Sequence, residues 1–349
     1  MDAISSSKPV TVVAIGLGQM GRSHSLAYHK SHSYRIVGLV NRSAVTLSDG
    51  LEAYPLLTSF EEALSLKPDL ISINTHVDTH ASYAIKALEA GCHVFVEKPL
   101  AANIEDSKQV IATARRLNKK LIIGYILRHH PSWQHFIHHA RTHLGGPPYV
   151  FRMNLNQQSS GSAWSIHKKL MQTTSPVVDC GVHYIDAMLQ ITDSRPTQVR
   201  GMGVRLSDEI PTSQVNYGHL QVLFEDGSVG WYEAGWGPMI SETAYFIKDV
   251  IGPKGSVSII GEEGSSSADI DGHTKTARIK THSVEKGDEV LRMDSEPGHY
   301  ELCALEQGFV LQAIRGDGDL EGHWRDAVRA QMVVLAAERS MREGRAVDL

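Results

Sequence analysis

Residues 10–21, VTVVAIGLGQMG, decide the fold. Six residues, apolar but for Thr11, run straight into a G-x-G-x-x-G cluster, and the following QMGRSHSLAYHK (19–30) has the pattern of a helix. A strand that is apolar throughout, rather than alternating, is one covered on both faces of a parallel sheet. Gly16 permits the tight turn, Gly18 lets the backbone approach a pyrophosphate, and Gly21 allows close helix–strand packing. Gln19 and Met20 open the helix, whose free amides and positive dipole end suit a diphosphate. Glycine runs alone are common in turns. Between a buried strand and a helix, this one predicts a dinucleotide site.

Working outward, RIVGLV (35–40), DLISIN (69–74), HVFVE (93–97) and KLIIGY (120–125) repeat the buried-strand texture. Helices with caps separate them: Ser59 and Glu62 form a capping box, Asn103 starts a helix, and Gly91 closes another. Repeated βα units predict a doubly wound sheet, which binds ligands outside the carboxyl ends of its strands. There stand Asn74, Thr75 and His76 after one strand, and Glu97, Lys98 and Pro99 after the next. Pro99 cannot serve a central ladder. Charges are not buried without partners, so Glu97 and Lys98 are expected to enter a cleft. After the second strand an NAD site commonly carries an acid for the ribose 2′-hydroxyl. Here Asn41, Arg42 and Ser43 stand instead. Asn41 would not repel a 2′-phosphate, and Arg42 and Ser43 can bind one. The expectation is NADP, with NAD as the alternative.

Beyond residue 125 the texture changes. PYVFRMNLNQ (148–157), TQVRGMGVRL (197–206), a hairpin over 216–236 turning at Asp226–Gly227, and AYFIKDVIG (244–252) predict a large, mostly antiparallel sheet with one face covered. Two late helices follow, near 299–314 and 322–342. The chain is thus divided into a Rossmann domain over 1–126 and a substrate-binding and oligomerising α+β domain over 127–349. Within the latter, SPVVDCGVHYIDAML (175–189) puts Asp179, His183 and Asp186 on one face of a helix, with Val182, Ile185 and Leu189 as the apolar stripe that seats it. An Asp one turn before a His can orient the imidazole for proton transfer. The same pair can equally be a capping Asp and an ordinary hydrogen-bonded His.

Composition excludes several classes. A net charge of −5 without a basic run argues against nucleic acid. No segment approaches the length of a membrane span, and MDAISSSKPV (1–10) lacks the features of a signal peptide. Three separated cysteines suit reduced thiols and a cytoplasmic location. His135, His138, His139 and His143 fall at helical spacing but lack cysteine, and no metal is expected. The stretch GEEGSSSADIDG (261–272) reads as a mobile loop.

Taken together, GLGQMG, GCHVFVEKPLA, GYILRHHP, Trp164 and DCGVHYID resemble the Gfo/Idh/MocA oxidoreductases, the glucose–fructose oxidoreductase and inositol dehydrogenase group, over essentially the whole chain. The resemblance implies hydride transfer between a nicotinamide and a secondary alcohol or ketone of a sugar, polyol or inositol-like substrate. It carries the family's catalytic lysine onto Lys98 and the later Asp and His onto Asp179 and His183, and suits a cis Lys98–Pro99 peptide. His183 would take the hydroxyl proton, Asp179 would support the imidazolium, and Lys98 would stabilise the alkoxide. Glu97 and Lys98 are expected at the nicotinamide ribose and the substrate hydroxyl. Arg128, His129, Trp164, Lys168 and Tyr184 are candidates to line the substrate pocket. Where many members have a glycine cluster before the Asp, this chain has TTSP (173–176), so the local pocket differs. A glycosidase working by transient oxidation and a non-enzymatic sugar sensor are the alternatives; the retained Lys98, Asp179 and His183 favour an enzyme over the sensor. An apolar sheet face left uncovered predicts a homodimer that can pair into a tetramer.

Overall fold

The computed structural model describes residues 8–241, 247–260 and 276–349, and the chain folds as two compact units. The first unit comprises residues up to 126 together with 299–328. Its sheet is built from β1 (Val10–Ile15), β2 (Tyr34–Val40), β3 (Leu56–Leu57), β4 (Leu70–Ile73), β5 (His93–Glu97) and β6 (Leu121–Gly124), all parallel, in the order β3-β2-β1-β4-β5-β6. Val12, Val13, Leu70, Ile71, Val94 and Phe95 are fully buried, as strands covered on both faces require. The strand order reverses between β1 and β4, so the carboxyl ends of these two strands flank the crevice where such sheets bind ligands. Helices α1 (Gln19–Lys30), α2 (Phe60–Ser65), α3 (Val77–Glu89) and α4 (Ile104–Arg116) connect the strands.

The caps match their sequence signals with one adjustment. Ser59 Oγ accepts from the Glu62 amide, but the Glu62 carboxylate reaches past Ser59 to accept from Thr58 N and Oγ1. Asn103 Oδ1 accepts from Asp106 N at 2.8 Å, and Gly91 ends α3 at φ +88°.

The second unit comprises residues 127–298 and 329–349. Helices α5 (Pro131–His143), α6 (Gly161–Leu170), α7 (Pro176–Asp179) and α8 (Gly181–Thr192) accompany its sheet. The strands are β7 (Val150–Gln158), β8 (Pro196–Val204), β9 (Tyr217–Phe224), β10 (Val229–Gly237), β11 (Lys248–Gly252), β12 (Gly255–Ile260), β13 (Arg278–Ser283), β14 (Gly287–Arg292) and β15 (Val347–Asp348). They form one nine-stranded sheet, β14-β13-β12-β11-β7-β10-β9-β8-β15. Every pair is antiparallel except β7 with β10. The β9–β10 hairpin turns at Asp226–Gly227, where Gly227 takes φ +85°. Of the strand expected over 244–252, residues 248–252 form β11, and 244–246 lie outside the described residues. So does the glycine–serine stretch expected as a loop over 261–272.

Alternation sorts this sheet's two faces. Phe151, Met153, Leu220, Val222 and Tyr232 point into the core. Ile251, Val150, Val229 and Leu223 stand directly opposite one another on four successive strands, all exposed on the other face.

Helix α9 (His299–Arg315) and the start of α10 (Glu321–Glu343) pack with the first unit, although they follow residue 126 by a long stretch of chain. Side-chain hydrogen bonds explain it. Tyr28 and Tyr34 both donate to Gln307, the His323 ring accepts from Ile123 N, and Trp324 Nε1 donates to Leu121 O. The sequence division at 126 did not provide for this return.

Candidate active site

In the first unit the candidate site lies at the carboxyl ends of β1, β2, β4 and β5. Gly16 takes φ +83°, and a Cβ there would lie 2.6 Å from Asn74 O, so only glycine fits. At Gly21 a Cβ would fall 1.7 Å from Gly16 O. At Gly18 the space is open, with no atom within 4 Å of where a Cβ would sit. Gly18 caps α1 without any side chain covering the helix start. Its amides therefore face an open cradle, which fits a dinucleotide diphosphate.

Asn41 is hydrogen-bonded on both sides of its amide. Its Oδ1 accepts from Leu17 N at 2.9 Å and its Nδ2 donates to Ser43 O at 2.8 Å, tying the end of β2 to the glycine loop. Arg42 and Ser43 are exposed. Arg22, not singled out in the sequence, donates to Leu17 O and Thr46 O and braces the same loop. Asn74 is buried and donates back to Ser72, Thr75 shares a hydrogen bond with Thr79, and His76 is exposed at the start of α3.

The segment after β5 corrects one expectation. Glu97 turns inward, with Oε1 2.8 Å from His24 Nε2 and Oε2 accepting from Lys98 N at 3.2 Å. A carboxylate only 7% exposed gains more from these interior donors than from a ribose hydroxyl in water. Lys98 is followed by a cis bond to Pro99, and Pro99 O lies 2.8 Å from Nδ1 of the buried His80.

In the second unit, α7 ends at Asp179 and α8 begins at Gly181. Cys180 between them keeps right-handed helical angles, so the two short helices run on. Asp179 therefore precedes His183 by about one turn. Both are half-buried, and His183 Nδ1 is shut off from solvent. Val182, Ile185 and Leu189 are buried, as the apolar stripe predicts. Asp186 does not join Asp179 and His183. Its carboxylate turns to Arg128, with which it forms a two-pronged ion pair. Residues i and i+7 share a face but stand about 10 Å apart along the axis, so the far end of that face can meet a different neighbour.

Other expected pocket residues also hold one another. Trp164 Nε1 and Lys168 Nζ both donate to Glu209, at 3.0 and 2.5 Å. Tyr184 is a core residue: it is 5% exposed, stacks on Tyr232, and carries Lys248 Nζ 5.6 Å above its ring. That removes it from the candidates for a substrate-facing hydroxyl. Burial pushes the Lys248 ammonium down to about 7. Burial, with Arg128 alongside, pushes the His129 imidazole down to about 4. His167, missed in the sequence, stacks flat on Trp236 at 4.3 Å. Burial pushes its imidazole down to about 4 against the opposing pull of Asp179. Among the described residues no group of three or more His, Cys, Asp or Glu is arranged to hold a metal ion. No helix among them is long and apolar enough to cross a membrane.

Two family models match the chain. One is described as an oxidoreductase family, NAD-binding Rossmann fold, over residues 10–125, and the other as its C-terminal alpha/beta domain over residues 146–349. D-glucoside 3-dehydrogenase of Escherichia coli is 26% identical over 197 residues, 55% of this chain and 56% of that protein. The chain thus matches about half the length of that relative. The NAD(+)-dependent scyllo-inositol 2-dehydrogenase of Bacillus subtilis is 23% identical over 283 residues, 80% of this chain and 78% of that protein. An Agrobacterium radiobacter oxidoreductase, solved in complex with NAD+, L-tartaric acid and magnesium, shares the fold with a TM-score of 0.78. It is 15% identical, with 98% of each chain covered. With both domains matched in order and the glycine cradle and the Lys98–Pro99 turn in place, the chain belongs to the Gfo/Idh/MocA oxidoreductase family.

Proposed function

We propose that the protein is an NAD(P)-dependent dehydrogenase or reductase acting on a secondary alcohol or ketone of a sugar, polyol or inositol-like substrate. The observation that carries the reading is a half-buried Asp179 one helical turn ahead of a half-buried His183, in a chain whose first unit carries an open Gly18 cradle and Lys98 after β5. The names of the relatives, dehydrogenases of a glucoside and of an inositol, support the substrate class.

The amides of Gly18, Gln19, Met20 and Gly21 would hold the diphosphate, and the nicotinamide when bound supplies a hydride acceptor or donor. His183 presents Nε2 to the substrate hydroxyl, since Nδ1 is the shielded nitrogen, and takes up its proton as the carbon–hydrogen bond breaks. Asp179 stabilises the imidazolium so formed. Lys98 offsets the charge developing on the substrate oxygen. Arg128, held by Asp186, and Lys168, held by Glu209, serve as hydrogen-bond donors to further hydroxyls. Arg42 and Ser43, exposed at the end of β2, favour NADP over NAD. The exposed row Ile251, Val150, Val229 and Leu223 supports an isologous dimer through the outer sheet face.

The test is reduced-nicotinamide absorbance with each cofactor against a panel of sugars, inositols and their ketones. Net conversion on at least one panel member is expected. Release of free sugar from glycosides without net cofactor change would overturn the reading in favour of a glycosidase.

A further inference from the structure

Two histidines buried in the first unit have no place in hydride transfer, yet both touch the residues that flank Lys98. His24, on α1, is fully buried edge-on against Phe95. Its Nε2 lies 2.8 Å from Glu97 Oε1, and Gln307 Nε2 lies 3.0 Å from its Nδ1. The Gln307 amide is oriented by Tyr28, whose hydroxyl donates to its Oε1 at 2.8 Å. With the amide oriented in this way its nitrogen faces His24 Nδ1, an arrangement that assigns the ring proton to Nε2, facing Glu97. Glu97 passes the constraint on by accepting from Lys98 N through its other oxygen. Glu306, 3.9 Å from His24 Nε2, is the second carboxylate beside the ring.

His80, on α3, works from the opposite side. It is 1% exposed, with Nδ1 2.8 Å from Pro99 O and Nε2 3.0 Å from Thr75 O. Burial holds this imidazole below its ordinary pKa, so it carries a single N–H. The shorter contact assigns that proton to Nδ1, donated to Pro99 O in the loop after β5, while Nε2 packs beside Thr75 O.

We propose that His24 and His80 are positioning residues that clamp residues 97 and 99 and so fix the Lys98 backbone from which the ammonium reaches the substrate. The proposal rests on the catalytic reading of Lys98 given above. Its energetic sense is that a catalytic cation displaced by about 1 Å can cost on the order of 100-fold in rate. The clamp is made of buried groups on α1, α3 and α9, whose partners water cannot replace.

Side-chain isosteres test it. A glutamine amide reaches the place of a histidine Nε2, and an asparagine amide that of Nδ1. His24→Gln therefore keeps the donor to Glu97, and His24→Asn loses it. His80→Asn keeps the donor to Pro99 O, and His80→Gln loses it. Two readouts are needed on the full-length protein: deuterium uptake at the amides of Lys98, Leu100 and Ala101, and kcat on the best panel substrate with NAD(P)H affinity measured separately. We expect faster exchange and a fall in kcat of roughly 10-fold or more in His24→Asn and His80→Gln, with nucleotide affinity unchanged. His24→Gln and His80→Asn should stay close to wild type. Equal effects within each isostere pair, or losses that merely follow the thermal midpoint, would overturn the clamp. Lys98→Ala, assayed alongside, separates the two readings. If it is inactive while exchange and kcat ignore the donor position, only the clamp fails. If it is fully active, the catalytic reading of Lys98 fails, and with it the purpose assigned to the clamp.

Discussion

Asp186 grips Arg128 with both carboxylate oxygens, accepting from Nε at 2.8 Å and from a terminal guanidinium nitrogen at 2.5 Å, with Asp186 almost wholly buried. Bidentate geometry makes this among the strongest ion pairs a protein can form, but only while both partners are present. Asp186→Ala leaves a guanidinium largely out of water and should cost about 3–5 kcal/mol of stability. Replacing both residues together with Met and Leu should cost clearly less. Urea unfolding of the single and double variants checks this, and equal losses in the two would contradict it.

Cofactor preference turns on the end of β2. With Asn41 committed to Leu17 N and Ser43 O, no carboxylate opposes a 2′-phosphate there. NADP(H) is expected to bind more tightly than NAD(H), and Arg42→Ala should narrow the difference. Fluorescence titration with both reduced nucleotides decides it. A tenfold preference for NAD(H), or no response to Arg42→Ala, would overturn the expectation.

Acid should destabilise the fold early. Burial holds the imidazoles of His93, His129 and His167 down to about 4, whereas unfolded histidines titrate near about 6.5. Between those values the unfolded chain binds the extra protons, so stability falls as pH falls through the window. Each histidine contributes about 1.4 kcal/mol per pH unit where only the unfolded state is charged. The urea midpoint should drop between about pH 7 and about pH 5, and His167→Phe, which can keep the stack on Trp236, should make the drop smaller. A midpoint that holds steady across that range would contradict the assignment.

The outer face of the nine-stranded sheet predicts association. Four neighbouring exposed aliphatics, Ile251, Val150, Val229 and Leu223, form a row that a monomer would leave in water. Light scattering at micromolar concentration should give a dimer or tetramer, and Val229→Lys should shift it towards the monomer. A wild-type mass of one chain would refute this.

The first unit was legible wherever the signal was local. Strands such as Leu70–Ile73 are buried at every position, and Gly16 and Gly21 have backbone neighbours that tolerate nothing larger. The two-residue strand Leu56–Leu57 carries too little pattern to be read. What the sequence hid was tertiary. That Glu97 faces inward depends on His24 and, through it, on Gln307, a residue 283 positions away from His24. A helical wheel places Asp186 near His183, but the pull of Arg128, from a segment far along the chain, decides where its carboxylate points. Lys168 and Trp164 were legible as polar and aromatic groups on α6, while their shared partner Glu209 was not.

In the proposed reaction His183 moves the substrate proton and Lys98 steadies the charge left on its oxygen. The most direct measurement is kcat for His183→Ala and Lys98→Ala on the best panel substrate, beside the dissociation constant of the reduced nucleotide. Each variant should lose on the order of 100-fold or more in kcat while binding the nucleotide as the wild type does. Full turnover in either variant would contradict the role assigned to that residue.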